Sequence, residues 1–130
     1  LGVRNRRDRV LDFSEYLADL SRHRFAIAPP GRGQATHRVW EALLVGTVPI
    51  IWTGGTSPES ALRAYERLPV VLIEDWGTLT TKFLDDAWEN ISERAARGAY
   101  DMQRIFADYW IARVRASATS ASATASQQHI

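Results

Sequence analysis

Apolar positions along the chain alternate between helical periods and short continuous runs. Phe13, Tyr16, Leu17 and Leu20 stand at i, i+3, i+4 and i+7, with Asp12 or Ser14 available as a cap, which predicts an amphipathic helix over 14–23. Phe25-Ala26-Ile27-Ala28 is an apolar run stopped by Pro29-Pro30-Gly31-Arg32-Gly33, the pattern of a buried strand followed by a glycine-bearing loop. Helical period returns over 35–45, with Val39, Ala42 and Leu43 facing inward and Gly46 placed as a C-cap. Val48 to Trp52 reads as a second strand, closed by Thr53-Gly54-Gly55; Pro49 is compatible because it lies among the strand's first residues. Pro58 opens a helical segment through Leu62, Tyr65 and Leu68, and Pro69 to Ile73 is a third apolar run. Helices are expected over 79–91 and 99–114, the second carrying Met102, Ile105, Phe106, Tyr109 and Trp110 as packing residues.

Strands separated by helices imply a parallel sheet with right-handed crossovers, and continuous apolar strands imply that both faces are covered. The expected fold class is therefore α/β: a Rossmann-like unit with a small parallel sheet flanked by helices and a C-terminal helical extension. Three stretches are expected: a charged entry segment over 1–13, an α/β domain over 14–115, and a tail over 116–130. That tail, rich in Ser, Ala and Thr, has almost no large apolar side chain with which to offset its ordering entropy, and disorder is expected there. The chain starts at Leu1 rather than Met and has no signal-peptide core, so it reads as a fragment of a longer protein.

Charge narrows the function. Sixteen basic and 15 acidic residues leave a net charge of +1, which argues against a dedicated nucleic-acid or membrane-surface binder, since both partners are held by accumulated positive charge. The longest apolar stretch, 45–52, is interrupted by Gly46, Thr47 and Pro49 and falls far short of the roughly 20 residues of a membrane span. Absence of cysteine removes disulfides, thiolate catalysis and Cys-type metal sites.

Ligands of open parallel sheets bind at the carboxyl ends of the strands, here the loop 29–34 and the turn Thr53-Gly54-Gly55. Gly31 and Gly33 precede a helix, so backbone N–H groups and the positive helix end can approach an anion such as a pyrophosphate, with Arg32 reaching from the loop. The spacing matches neither a dinucleotide fingerprint nor a P-loop, and a Pro-Gly loop can equally be a plain turn. On the helix, His37, Arg38 and Glu41 share one face. A cation in the first turn opposes the macrodipole, and base before acid is the weaker i,i+4 order; an anionic ligand at that end would relieve the conflict. Arg38 and Glu41 form either a surface pair or a donor set in which a guanidinium forks onto phosphate and a carboxylate accepts ribose hydroxyls. Trp40 and Trp76 are expected to pack, although either ring could stack on a base. Asp85 and Asp86 are adjacent within a helix and read as a solvated face rather than a metal-binding pair.

The run from Phe25 to Ile51, FAIAPPGRGQATHRVWEALLVGTVPII, resembles the exostosin-type glycosyltransferases (family 47) in its order of Phe, Pro-x-Gly, Arg, Glu-Ala-Leu, Gly and Val-Pro-Ile. Leu68 to Trp76 followed by a helix is similar to the region after that family's donor site. The version His37-Arg38-Val39-Trp40-Glu41-Ala42-Leu43 is also similar to the C-terminal domain of the ribitol xylosyltransferase group. The resemblance spans about residues 14–92. It implies the C-terminal, nucleotide-sugar-binding half of a two-domain GT-B enzyme, whose other domain supplies most acceptor contacts. Departures from the family pattern fall at Gln34-Ala35-Thr36 and at the longer turn Thr53-Gly54-Gly55, and both bear on donor identity.

By that resemblance the donor-binding residues are Gly31, Arg32, Gly33, His37, Arg38, Glu41, Thr53 and Gly54, with Arg38 on phosphate and Glu41 on ribose. The implied activity is inverting transfer of a sugar from a nucleotide diphosphate, a UDP-sugar being the expected donor, to a hydroxyl of a glycan or glycoprotein acceptor. No cofactor or metal is expected, because positive groups can stabilise the departing diphosphate. No catalytic base is assigned within the chain; it is placed in the other domain. The family implies the lumenal side of the Golgi membrane, with an anchor preceding this region. The alternative reading is a non-catalytic α/β module that binds a nucleotide or phosphate, or serves protein interaction.

Overall fold

The computed structural model describes residues 11–30, 36–54 and 58–127. Their order is α1 (Phe13–Leu20), β1 (Phe25–Ala28), α2 (His37–Leu44), β2 (Val48–Trp52), α3 (Pro58–Ala64), β3 (Val71–Ile73), α4 (Thr81–Ala96) and α5 (Ala107–Gln127). Short 3-10 turns lie at Trp76–Thr78 and Met102–Ile105. The charged stretch 1–10, the loop residues Gly31, Arg32 and Gly33, and Gly55 lie outside the described residues.

The three strands form one parallel sheet in the order β1-β2-β3, with Phe25 level with Val48, Ala28 with Ile51, and Trp52 with Ile73. The architecture is α/β, a small parallel sheet flanked by helices, as the apolar pattern implied and compatible with a Rossmann-like fold. Alternate residues of β2 face opposite layers. Ile51 joins Ala28, Val39, Leu43, Tyr65 and Leu68 beneath α2 and the chain that follows α3. Val48 and Ile50 join Val71 and Ile73 beneath α4, which adds Phe83, Leu84, Ala87, Trp88 and Ile91. Phe25 meets the Trp88 ring edge-on at 5.8 Å, so α4 reaches across the sheet to β1. Among the described residues no helix is long and apolar enough to cross a membrane.

Local chemistry accounts for the element ends. Asp12 caps α1, its carboxylate accepting from the Glu15 N–H while its own N–H donates to the Glu15 carboxylate at 3.3 Å; this capping box starts the helix at Phe13, and the helix stops at Leu20, three residues before the expected end. Gly46, at φ 79°, closes α2, with Gly46 N–H donating to the Leu43 carbonyl and Thr47 N–H to the Ala42 carbonyl. The same six-to-one bond recurs at Gly98, φ 69°, where Ala99 N–H reaches the Arg94 carbonyl and α4 ends at Ala96, beyond the expected 91.

Pro49 lies in a strand paired on both sides, yet it costs no hydrogen bond. Val48 N–H points to β1, donating to the Arg24 carbonyl, and Thr53 N–H points to β3, donating to the Ile73 carbonyl. By alternation position 49 faces β3, whose ladder begins only at Val71 opposite Ile50.

The C-terminal region differs from the expected single helix over 99–114. Asp101 caps a 3-10 turn, Phe106 is extended at φ −99° and ψ 140°, and only then does α5 begin. The turn is tied to the loop after α3: Asp101 N–H donates to the Arg67 carbonyl at 2.8 Å and Arg104 to the Glu66 carbonyl at 2.7 Å. The break splits the apolar stripe. Ile105 packs on the α2-side core, whereas Met102, Phe106 and Trp110 are 37%, 48% and 41% exposed. α5 then runs to Gln127, through residues expected to be disordered. Alanine carries the highest helix propensity, and Ser117 and Thr119 donate to the carbonyls of Arg113 and Arg115, each at 3.0 Å, so these hydroxyls bond to the helix itself.

Thr47 is 1% exposed, and its hydroxyl lies 2.8 Å from the Leu20 carbonyl and 3.1 Å from that of His23, joining the end of α1 to the start of β2. Thr47→Val keeps the shape and leaves those carbonyls without this donor. It is expected to cost about 1–3 kcal/mol in denaturant unfolding, whereas Thr47→Ser should retain most of the stability.

Candidate functional site

The first turn of α2 lies beyond the carboxyl end of β1. Thr36 occupies the N-cap with extended backbone, φ −88° and ψ 153°, but its side chain makes no capping hydrogen bond. Its Oγ1 is buried and has no hydrogen-bond partner among the described residues. No acidic residue stands in the first turn. The positive end of α2 therefore has neither a side-chain cap nor a carboxylate from its own first turn, an arrangement suited to an external anion.

Burial of Val39, Ala42 and Leu43 fixes the rotation of α2, because the fully buried Val39 and Leu43 side chains each contribute about 1.5–3 kcal/mol. That rotation leaves His37 and Arg38 exposed and Glu41 half-buried. The sequence-predicted face is thus present, with Arg38 and Glu41 brought together not by each other alone but by Tyr16 of α1. Burial first, then hydrogen bonding to the Glu41 carboxylate and its negative charge, raise the Tyr16 hydroxyl above its ordinary value, while the Arg38 guanidinium pulls it down. A phenol set between a carboxylate and a guanidinium orients both. Sequence reasoning used Tyr16 only as an apolar helix position; its hydroxyl was the available signal, and nothing local said that α1 would pack against α2.

The turn after β2 is committed to the sheet. Thr53 is buried, with its N–H 2.8 Å and its hydroxyl 3.2 Å from the Ile73 carbonyl, so the donor capacity of this expected ligand residue is used inside the fold. Gly54 is required by packing: a Cβ there would overlap the indole of Trp52, whose Nε1 donates to the Glu74 carbonyl at 2.9 Å. These contacts tie the carboxyl ends of β2 and β3 together.

Trp40 packs as expected, half-buried with its ring 6.1 Å from that of Tyr65. Trp76 does not; it is 41% exposed in the turn after β3, at the carboxyl end of the sheet. Asp85 and Asp86 are exposed on α4, and Asp86 accepts from Lys82 at 2.6 Å. Among the described residues no three His, Asp or Glu gather closely enough to hold a metal ion.

The Tyr16 environment gives opposite-sign predictions. Glu41→Gln removes the charge that disfavours the phenolate, so Tyr16 should titrate at lower pH than in the unmodified chain. Arg38→Ala removes the group that favours the phenolate, so Tyr16 should titrate higher. Alkaline titration of ¹³C-labelled tyrosine by NMR, with Tyr16→Phe to assign the resonance, reads both shifts; no movement in either variant would separate Tyr16 from the pair. No family model matches the chain, and no curated protein matches it significantly, so the site is defined by its own geometry.

Proposed function

We propose that the chain is the donor-binding part of an exostosin-type glycosyltransferase, holding a nucleotide-diphosphate sugar at the first turn of α2 for transfer to an acceptor hydroxyl. One observation carries this reading: Tyr16, Arg38 and Glu41 converge beside an uncapped helix N-terminus at the carboxyl end of a parallel strand. The backbone amides of α2 and the Arg38 guanidinium suit the diphosphate, the guanidinium through paired N–H donors. The Glu41 carboxylate, held by Tyr16, suits the two ribose hydroxyls, and Trp76 is the exposed ring on which a base can stack.

Chemically, the acceptor oxygen bonds to the anomeric carbon as the bond from that carbon to the diphosphate oxygen breaks. Negative charge grows on the leaving diphosphate, where Arg38 and the α2 N-terminus stabilise it; fixed dipoles and charges act most strongly where charge develops. The acceptor and the proton-accepting base belong, in this reading, to the second domain of a GT-B enzyme. A non-catalytic nucleotide-binding module is the competing reading, favoured by the exposure of His37 and its lack of a carboxylate partner among the described residues.

Calorimetric titration of the chain with UDP and then GDP tests the proposal. Arg38→Ala and Glu41→Ala should each weaken UDP binding by about 1–3 kcal/mol, the range for hydrogen bonds to charged groups, with the fold intact by circular dichroism. Equal affinity in both variants would return Arg38 and Glu41 to a solvated surface pair. Binding of UDP that is lost in the variants, without sugar transfer by any longer form of the protein, would favour the non-catalytic module.

A further inference from the structure

Asparagine occurs twice in the chain, as Asn5 and Asn90. Asn5 is followed by two arginines. Asn90-Ile91-Ser92 instead places a hydroxyl two positions after the amide with no proline between, the acceptor pattern for an N-linked glycan.

The second half of α4 holds this tripeptide. The sheet-facing side of the helix is Phe83, Leu84, Ala87, Trp88 and Ile91, and Arg24 stacks on the Trp88 ring, 5.2 Å from its centroid. At the amino ends of the strands the same half of α4 walls an apolar cavity together with Val48, Pro69 and Met102. Asn90 itself is exposed, as are Asp86, Glu89, Ser92 and Glu93 around it. Its side-chain amide makes no hydrogen bond among the described residues. Asparagine is a poor residue for a helix interior, and here, within Thr81–Ala96, it caps neither end. The fold therefore gives this amide no task of its own. Because Ile91 and Ser92 line the cavity beside Gly46 and Val48, Asn90 lies toward the amino ends of the strands, away from Tyr16, Arg38 and Glu41.

We propose that Asn90 is an N-glycosylation site, modified on the nascent chain before α4 forms. The Asn90 Nδ2 bonds to the anomeric carbon of an N-acetylhexosamine carried on a lipid diphosphate. The bond from that carbon to the diphosphate oxygen breaks, the lipid diphosphate leaves with the electron pair, and the amide gives up one proton to a base of the membrane-bound transferase. Transfer needs the hydroxyl of Ser92 beside the amide, a geometry that a turn at asparagine supplies. On an α-helix residues two apart do not face each other, so the acceptor geometry exists only while the segment is unfolded. Most of the stability of a helix of this length comes from tertiary packing, which leaves the emerging segment open until it docks on the strands. Once α4 has formed, the exposure of Asn90 lets the sugar stand in solvent while the core side chains keep their places. The proposal rests on the reading above only for its compartment, the lumenal side of a membrane.

Secretion of the chain from a eukaryotic host, behind a signal peptide that is cleaved so that the product is the chain itself, tests the site. Intact mass should show one glycan, and enzymatic release by a peptide N-glycosidase in ¹⁸O-water should leave a labelled aspartate at position 90. Asn90→Gln and Ser92→Ala should each abolish the modification, and Ser92→Thr, which keeps the hydroxyl, should retain it. If Asn90→Gln is not secreted, the contrast between Ser92→Ala and Ser92→Thr still decides the question. A secreted chain of unmodified mass, a glycan that persists in Asn90→Gln or in Ser92→Ala, or a label at another position would each overturn the proposal. UDP titration of the unmodified chain judges the nucleotide-sugar reading separately. Glycosylation without UDP binding would count against that reading and not against the acceptor site; UDP binding by a chain that is secreted unmodified would do the reverse.

Discussion

β2 is paired on both sides and buried on both faces, and the rest of the fold is organised by that constraint. From Thr47 to Ile51 every residue is buried. The two buried polar side chains among the described residues, Thr47 and Thr53, stand just outside its two ends. Thr47 donates to carbonyls at the end of α1, and Thr53 donates to the last carbonyl of β3. A threonine can be buried at such places because its hydroxyl meets a carbonyl left over by a helix or strand end. These contacts fix where α1 lies relative to α2 and where the turn after β2 lies relative to β3.

The candidate site follows from the first of these attachments. With α1 held at its C-terminal end, Tyr16 one turn earlier packs against α2 and meets Arg38 and Glu41. Each of the three alone is an ordinary surface group. Together they make a cluster in which a phenol joins a carboxylate to a guanidinium, beside a helix end whose N-cap side chain makes no capping hydrogen bond. The two ends of the sheet thus differ in character. The carboxyl ends carry charge and a helix start without a side-chain cap, suited to a polyanion, while the amino ends carry an apolar cavity walled by α4.

Much of the fold was legible because period and punctuation agreed. Phe25–Ala28 and Val48–Trp52 are strands over the residues expected from their apolar runs, and Gly46 closes α2 as its position implied. The region after α4 was not legible in the same way. Met102, Ile105, Phe106, Tyr109 and Trp110 share a helical stripe, but Asp101 caps a 3-10 turn whose bonds run to Glu66 and Arg67, distant in sequence. A period records which residues can share a face; it does not record which distant carbonyl will capture the backbone.

The sequence by itself determined the class of fold and the α2 face of His37, Arg38 and Glu41. Those depend on local spacing, turn chemistry and residue order, which are complete in the chain. Only the tertiary structure decided that Tyr16 belongs with Arg38 and Glu41, that Thr53 is taken up by the sheet, that Trp76 is exposed where Trp40 is not, and that Arg24 stacks on Trp88 of α4. Each of these is a contact between elements far apart in sequence, set by how buried faces pack, and no pattern within either element carries it.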